Sequence, residues 1–237
     1  MATDYLERGA VAGVAGGLVY GLFVATVGNA FTAGLETFEH GHGHGGGPVV
    51  SGLTTAVASI GGGVLWGILF GVAVFGMAYF FLEPAIPGSG ATKRLALAGA
   101  GFLTVSGAPW LVLPPQPPGV EQALGTETRL AWYAGLMTLG ALVAVLAGLT
   151  YRRAEGRHAA VRLGATALPL ALLAVPVALA PANPVHGDVP AALVAAYRWT
   201  VVFGQLLLWA TIAGIHAWLG DSDTPVADDL DYPATAD

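Results

Sequence analysis

The chain has 237 residues, of which 55% are hydrophobic and 10% charged, and its formal net charge is −6. Its mean hydropathy of +0.67 is too high for an ordinary soluble domain. The chain contains no cysteine, which excludes disulfide bonds, iron–sulfur clusters and thiolate metal sites. We expect the lipid bilayer to be its main environment, and we expect no nucleic-acid partner.

Apolar stretches of roughly 20 residues follow one another along the chain, and each is long enough to cross a ~30 Å hydrocarbon core as a helix. They cover about Gly9–Ala33, Ser51–Leu82, Leu95–Leu113, Leu130–Tyr151, Leu163–Ala180 and Ala191–Leu219. Because they lack the alternating apolar and polar pattern of barrel strands, we predict an all-α, polytopic integral membrane bundle. It should have about six transmembrane helices, numbered one to six here.

The first apolar stretch lacks a clear small-residue cleavage site, so we interpret it as a retained helix and not a signal peptide. It is rich in glycine, and Gly17 and Gly21 have the GxxxG spacing that lets two helix backbones approach closely in lipid. We interpret this spacing as ordinary bundle packing.

The end of the chain differs in composition from the rest. We predict that residues 1–220 form the transmembrane bundle and that residues 221–237 form a disordered, acidic C-terminal tail. The tail contains no basic residue, and its carboxylates are Asp221, Asp223, Asp228, Asp229, Asp231 and Asp237.

Positive charge is distributed unevenly between the predicted loops. Arg8, the loop with Lys93-Arg94 and the basic stretch Arg152–Arg162 lie on one side of a six-helix arrangement. Arg129 is the only basic residue in the loops on the other side. Since cytoplasmic loops of membrane proteins are enriched in lysine and arginine, both termini are predicted to be cytoplasmic, in a multi-pass protein of the cell membrane.

A group of histidines and glutamates lies between the first two apolar stretches, on the predicted outer side. This His/Glu cluster consists of Glu36, Glu39, His40, His42 and His44. Imidazole nitrogen and carboxylate oxygen are the ligands that cobalt, nickel and zinc accept, so the cluster predicts metal capture. Two alternatives stay open: a polar, glycine-rich hairpin with incidental histidines, and glutamates that only mark a hydrated helix end.

Other polar residues could belong to the same site or to a path across the membrane. His186 and Asp188 lie on the same predicted side, and they could complete the site if helices one and six are neighbours. Arg198 is the only charge inside an apolar helix, where it either has a partner or function, or extends to the interface. Gln205 and His216 follow in the same helix, and we expect His216 to be a hydrogen-bonded residue of the interface.

Three short elements resemble the CbtA family, the proposed cobalt transporter subunit. They are Glu36-Thr37-Phe38-Glu39 after helix one, Ala108-Pro109-Trp110 leading into Gln116-Pro117-Pro118-Gly119, and Tyr197-Arg198 followed by Gln205 and Trp209. The resemblance implies membrane uptake of cobalt, linked to cobalamin synthesis, and importance for Glu36, Glu39, Arg198 and Gln205. It also implies a small partner subunit with one membrane helix and a His-rich end, which the His40–His44 run resembles.

The combined prediction is membrane uptake of a divalent transition-metal cation, with Co²⁺ as the first candidate and Ni²⁺ as the second. The His/Glu cluster would bind the ion outside, and the transport path would include Arg198, Gln205, His186 and Asp188. The main alternative is a non-transporting accessory or metal-binding subunit of a transport complex, and a homo-oligomer also stays open. We do not expect an enzyme or a permanently bound cofactor, because nucleotide-binding, metalloprotease and nucleophile-elbow motifs do not occur.

Overall fold

The computed structural model describes residues 2–39, 51–118, 120–186 and 189–222. Six long helices, some with π- or 3₁₀-helical segments, make up most of this part of the chain. They are α1 (Ala2–Phe23, Val24–Gly28 and Asn29–Glu39), α2 (Gly52–Phe70, Gly71–Ala78 and Tyr79–Leu82), α3 (Gly90–Phe102, Leu103–Gly107 and Ala108–Trp110), α4 (Thr126–Arg153), α5 (Ala159–Ala167, Leu168–Leu173 and Ala174–Leu179) and α6 (Ala191–Ser222). Two short strands, β1 (Glu121–Gln122) and β2 (Val185–His186), pair with each other. The prediction of an all-α bundle is confirmed.

Among the described residues, five helices are long and apolar enough to cross a membrane. They are Ala2–Leu35, Gly52–Leu82, Thr126–Arg153, Ala159–Leu179 and Ala191–Asp221. The remaining helix, α3, is as long as α5, but Lys93 and Arg94 lie in its first turns. The chain is therefore a multi-pass membrane protein, as predicted.

Proline interrupts α5 without ending it. Pro169 lies in the 3₁₀-helical segment Leu168–Leu173, and Pro176 lies in the α-helical segment that follows. A proline removes one backbone donor, and a tighter helical turn accommodates this loss within a continuous span.

The N-terminal start of α1 and the C-terminal end of α6 lie at the same end of the bundle. Tyr5 of α1 donates a hydrogen bond of 2.6 Å to Glu83, directly after α2. Arg94 of α3 lies 3.6 Å from Asp221 of α6. We call this the terminal end, and the other the opposite end. Which end faces the cytoplasm stays a prediction from the charge distribution.

Glycines hold α1 and α2 in close antiparallel contact. A Cβ atom on Gly17 would lie 2.5 Å from the carbonyl oxygen of Gly63, and one on Gly63 would lie 2.6 Å from that of Gly17. The pairs Gly13–Gly67 and Gly9–Gly71 meet in the same way, backbone against backbone. The interpretation of the glycines in α1 as packing residues is therefore confirmed.

Two hydrophobic clusters form the interior. The larger consists of Ala12, Phe75, Tyr79, Leu97, Ala98, Leu208, Trp209, Ile212 and Ala213, from α1, α2, α3 and α6. The smaller consists of Ala108, Val143 and Leu173, from α3, α4 and α5. Helix α3 thus packs on α6 with its first half and on α4 with its last turns. Because α3 crosses from α6 to α4 along its length, a groove lies between α3 and α4 near the terminal end.

The loops before α4 and before α6 meet at the opposite end. Glu121 pairs with His186 in an antiparallel two-stranded ladder. Asn183 extends the contact, since its side chain accepts a hydrogen bond of 3.1 Å from the Leu124 amide and donates one of 3.1 Å to Gln122.

Candidate functional site

The structure leaves most of the His/Glu cluster untested. His40, His42 and His44 lie outside the described residues, as does Asp188. The backbone of α1 is helical through Glu39, so the helix does extend as far as both glutamates. Metal capture at this cluster stays a prediction.

A cavity of about 150 Å³ lies between α1 and α6, just before the helical turn that carries Glu36. Its polar lining comes from Tyr20, Asn29, Thr32, Tyr197 and Thr200. Asn29 donates a hydrogen bond of 2.9 Å to Ser59 of α2, which fixes its amide. Because Glu36 follows Thr32 by four residues, its backbone is roughly 6 Å further along the helix. The cavity thus offers neutral oxygen atoms next to the predicted capture residues.

Helices α1 and α6 are neighbours, which was the condition for His186 to share a site with the His/Glu cluster. The rings of Phe31 and Tyr197 are 6.3 Å apart, and those of Phe23 and Phe203 are 5.4 Å apart. His186 itself is exposed in β2, opposite Glu121. Within the described ranges no three His, Asp or Glu side chains come together in a way that could hold a metal ion.

Arg198 is paired with a loop. Its Nε donates to the carbonyl oxygen of Pro115 at 3.3 Å, and its Nη2 donates to Oε1 of Gln116 at 2.9 Å. Both acceptors are neutral, and the guanidinium lies beside a cleft of about 420 Å³ lined also by Asn183. A fixed positive charge repels a divalent cation. The geometry therefore suits Arg198 to positioning the loop, and not to ligating an ion.

The middle of the bundle is closed by large side chains. Leu208, Trp209 and Ile212 of α6 are at most 2% exposed. The Trp209 ring lies 5.3 Å from Phe70. Gln205, one turn before Trp209, is half-buried, and its amide has no hydrogen-bond partner among the residues that the structure describes.

A polar cluster that the sequence does not predict lies at the terminal end. It contains Tyr5, Tyr79, Glu83, Arg94 and His216, which we call the terminal polar cluster. Glu83 accepts hydrogen bonds from Tyr5 at 2.6 Å and from Tyr79 at 3.4 Å. The Arg94 guanidinium, in a residue only 8% exposed, lies 5.6 Å from the centre of the Tyr79 ring. These residues are far apart in sequence, and each looks like an ordinary interfacial residue of its own helix, so no local signal indicates the cluster.

His216 differs from what the sequence predicts. It is completely buried, with ring centroids of Phe75 and Tyr79 at 5.7 and 5.3 Å. Among the described residues, neither ring nitrogen has a hydrogen-bond partner of ordinary geometry, and the backbone of Phe75 offers only a weak polar interaction. The expectation of a hydrogen-bonded interfacial histidine is therefore wrong, because aromatic side chains of α2 pack against this ring.

A model of one protein family matches residues 2–221 of the chain, and its description is "Probable cobalt transporter subunit (CbtA)". The match extends over all six helices and both loops of the opposite end. No curated protein and no solved structure matches the chain significantly.

Proposed function

Since the chain belongs to the CbtA family of probable cobalt transporter subunits, we propose that it takes up a divalent transition-metal cation. Cobalt is the first candidate and nickel the second. The observation that carries the proposal is the family match over residues 2–221, which includes every membrane span. The metal ion is cargo, and the chain needs no resident cofactor for this role.

In this proposal the His/Glu cluster captures the ion outside the membrane. Imidazole and carboxylate groups together suit cobalt and nickel. The ion then reaches the cavity between α1 and α6, where oxygen atoms of Asn29, Thr32 and Thr200 replace part of its hydration shell. The support is geometric, because Thr32 precedes Glu36 by a single helical turn.

The other residues of the predicted path have different roles. His186 and Asp188 belong to the loop at the same end and would add a second point of capture. Gln205 directly follows Gly204, which lines the cavity, and is the next polar group along α6. Arg198 would hold the loop through Gln116, so that the outer rim keeps its shape.

The membrane potential could drive uptake without any further energy source. Moving a divalent cation inward gains roughly 4–5 kcal/mol per 100 mV of inside-negative potential. This is enough for accumulation of about a thousandfold or more, since each 1.4 kcal/mol corresponds to a factor of ten.

The test is uptake of radioactive cobalt into liposomes that contain only this protein, under an inside-negative potential. We expect Glu36→Gln/Glu39→Gln to reduce initial uptake at least tenfold. Replacing the three histidines by serine should raise the concentration for half-maximal uptake with less effect on the maximal rate. Glu127→Gln at the same end and His158→Ser between α4 and α5 are the matched controls, and they should leave uptake unchanged.

A second candidate is an accessory subunit that needs another protein for passage. The observation that favours it is the closed middle of the bundle, where Trp209 and Ile212 fill the space below the cavity. Folded wild type that binds cobalt but transports none in liposomes would support this alternative. Uptake restored by a co-expressed membrane partner would then establish it.

A further inference from the structure

The groove between α3 and α4 has the lining of a lipid site. Its volume is about 460 Å³, and residues from Ala96 to Leu103 on α3 and from Ala144 to Arg152 on α4 form its walls. The loop between α2 and α3 closes one side with Ala85, Ile86 and Pro87. Almost all of this surface is apolar, as expected for a groove that holds hydrocarbon.

The groove has the length and lining that suit an acyl chain. From Arg152 to Ala144, and from Thr92 to Leu103, it follows the helices for roughly 12–16 Å. Its volume of about 460 Å³ and its apolar walls can accept an extended hydrocarbon chain.

Positive charge surrounds the mouth of the groove at the terminal end. Arg152 lines the groove and donates a hydrogen bond of 3.4 Å to the Ala85 carbonyl, which holds the guanidinium beside the opening. Arg153 ends α4, and Arg157 lies in the loop that follows. Arg162 lies in the first turn of α5, with its guanidinium 5.0 Å from the centre of the ring of Tyr151, which lines the groove. Thr92 and Thr166 supply hydroxyl groups at the groove lining.

We propose that this groove binds one anionic phospholipid, with an acyl chain between α3 and α4 and the phosphate group next to Arg152. Charge complementarity selects an anionic headgroup over a zwitterionic one, because Arg152 lines the groove and Arg162 lies over Tyr151, another lining residue. The lipid would fill the space between α3 and α4 where α3 crosses from α6 to α4. It would thereby link the helices of the larger hydrophobic cluster to those of the smaller one.

Native mass spectrometry of the purified protein tests the proposal. The detergent-solubilised protein is mixed with equal amounts of phosphatidylglycerol and phosphatidylcholine that carry identical acyl chains. We expect one retained phosphatidylglycerol per chain, with a preference of about fivefold to tenfold over phosphatidylcholine, as several partly exposed charge contacts would give.

Variants separate the headgroup from the groove. Arg152→Gln should remove most of the preference while phosphatidylcholine binding stays the same. Gly148→Leu should weaken both lipids, because a Cβ atom there meets only Pro87, at 3.9 Å, and the larger side chain would fill the groove. Ala144→Leu is a second filling variant, in case one of them misfolds. Gly135→Leu is the matched control on α4, since nothing lies within 4 Å of its Cβ position.

Three results would overturn the proposal. The first is equal retention of both lipids by wild type, which would remove the role of charge at the mouth. The second is unchanged retention in folded Gly148→Leu and Ala144→Leu, which would place bound lipid elsewhere on the protein. If Arg157→Gln lowered the preference as much as Arg152→Gln, the loop charge as a whole, and not this groove, would select the lipid.

Discussion

At the scale of single residues, two polar side chains of α6 are held in different ways. Arg198 is half-buried, and two neutral acceptors in a loop bind its guanidinium. His216 is fully buried beside aromatic rings, and its nitrogens have no partner of ordinary geometry among the described residues. An unsatisfied buried group costs free energy, whereas a satisfied one ties elements together. The two residues should therefore respond to substitution in opposite directions.

Arg198→Lys should destabilise the protein by about 1–2 kcal/mol, because lysine lacks the planar fork that reaches both acceptors. The measurement is denaturant-induced unfolding in detergent micelles, with the exposed Arg157→Lys as control. Gln116→Ala should lower the free energy of unfolding by removing part of the same interaction. The double variant Arg198→Lys/Gln116→Ala should therefore lose less of this free energy than the two single variants added together. Fully additive effects would contradict this coupling.

His216→Phe should leave stability unchanged or raise it by about 1 kcal/mol, because the aromatic surroundings are kept and an unsatisfied polar group is removed. Thermal unfolding of purified protein measures this, and the exposed His186→Leu serves as the control. A strong loss of stability would mean that a ring nitrogen of His216 has a partner in the membrane-embedded protein.

At the scale of elements, glycine decides how α1 and α2 pack. Antiparallel contact between Gly9, Gly13 and Gly17 on one helix and Gly63, Gly67 and Gly71 on the other brings the two backbones together. In lipid no hydrophobic driving force holds helices together, so van der Waals contact between close backbones is a main source of association. The four-residue spacing on both helices is what makes this contact continuous.

Gly67→Ala should therefore be severely destabilising, by about 2–3 kcal/mol or more, since its Cβ would lie 2.6 Å from the Cα atom of Gly17. Gly61→Ala lies on the same helix, and nothing is within 4 Å of its Cβ position. That variant should be neutral or slightly stabilising, because alanine favours helix over glycine. Unfolding measurements on Gly67→Ala and Gly61→Ala separate the effect of backbone contact from that of helix propensity. Equal changes in the free energy of unfolding would contradict the packing argument.

At the scale of the whole molecule, the helix ends separate into two chemically different groups. The terminal end contains the terminal polar cluster and the Arg152–Arg162 stretch, whereas the opposite end contains the paired loops, the cavity and the start of the predicted capture segment. A cation path would have to connect these ends through the aromatic middle of the bundle. Transport by this chain would thus require that Trp209 and its neighbours move apart.

The orientation of the two ends can be measured with single cysteines, because the natural chain has none. Ser89→Cys reports on the terminal end and Ala123→Cys on the opposite end, and both positions are exposed. If positive charge sets the topology, a membrane-impermeant maleimide should label Ala123→Cys in intact cells and Ser89→Cys only after permeabilisation. The reverse pattern would place both termini outside.

Much of the fold can be predicted from the sequence, since apolar length alone predicts membrane helices and close glycine spacing predicts helix contact. The predicted helix two, from Ser51 to Leu82, differs from the observed Gly52–Leu82 by one residue. Helix one is longer than predicted, because Tyr5 and neighbouring polar residues remain helical through contacts with Glu83. Apolar length cannot detect such an extension, since hydrogen bonds to another helix stabilise it.

The candidate site can be predicted only in part. Residue chemistry within one segment predicts that the His/Glu cluster binds a metal ion, and the proposed function rests on this prediction together with the family. By contrast, the partner of Arg198, the burial of His216, and the groove between α3 and α4 depend on residues distant in sequence. Helix packing alone brings these together, because each contact is set by the crossing of whole helices, and no local pattern encodes it.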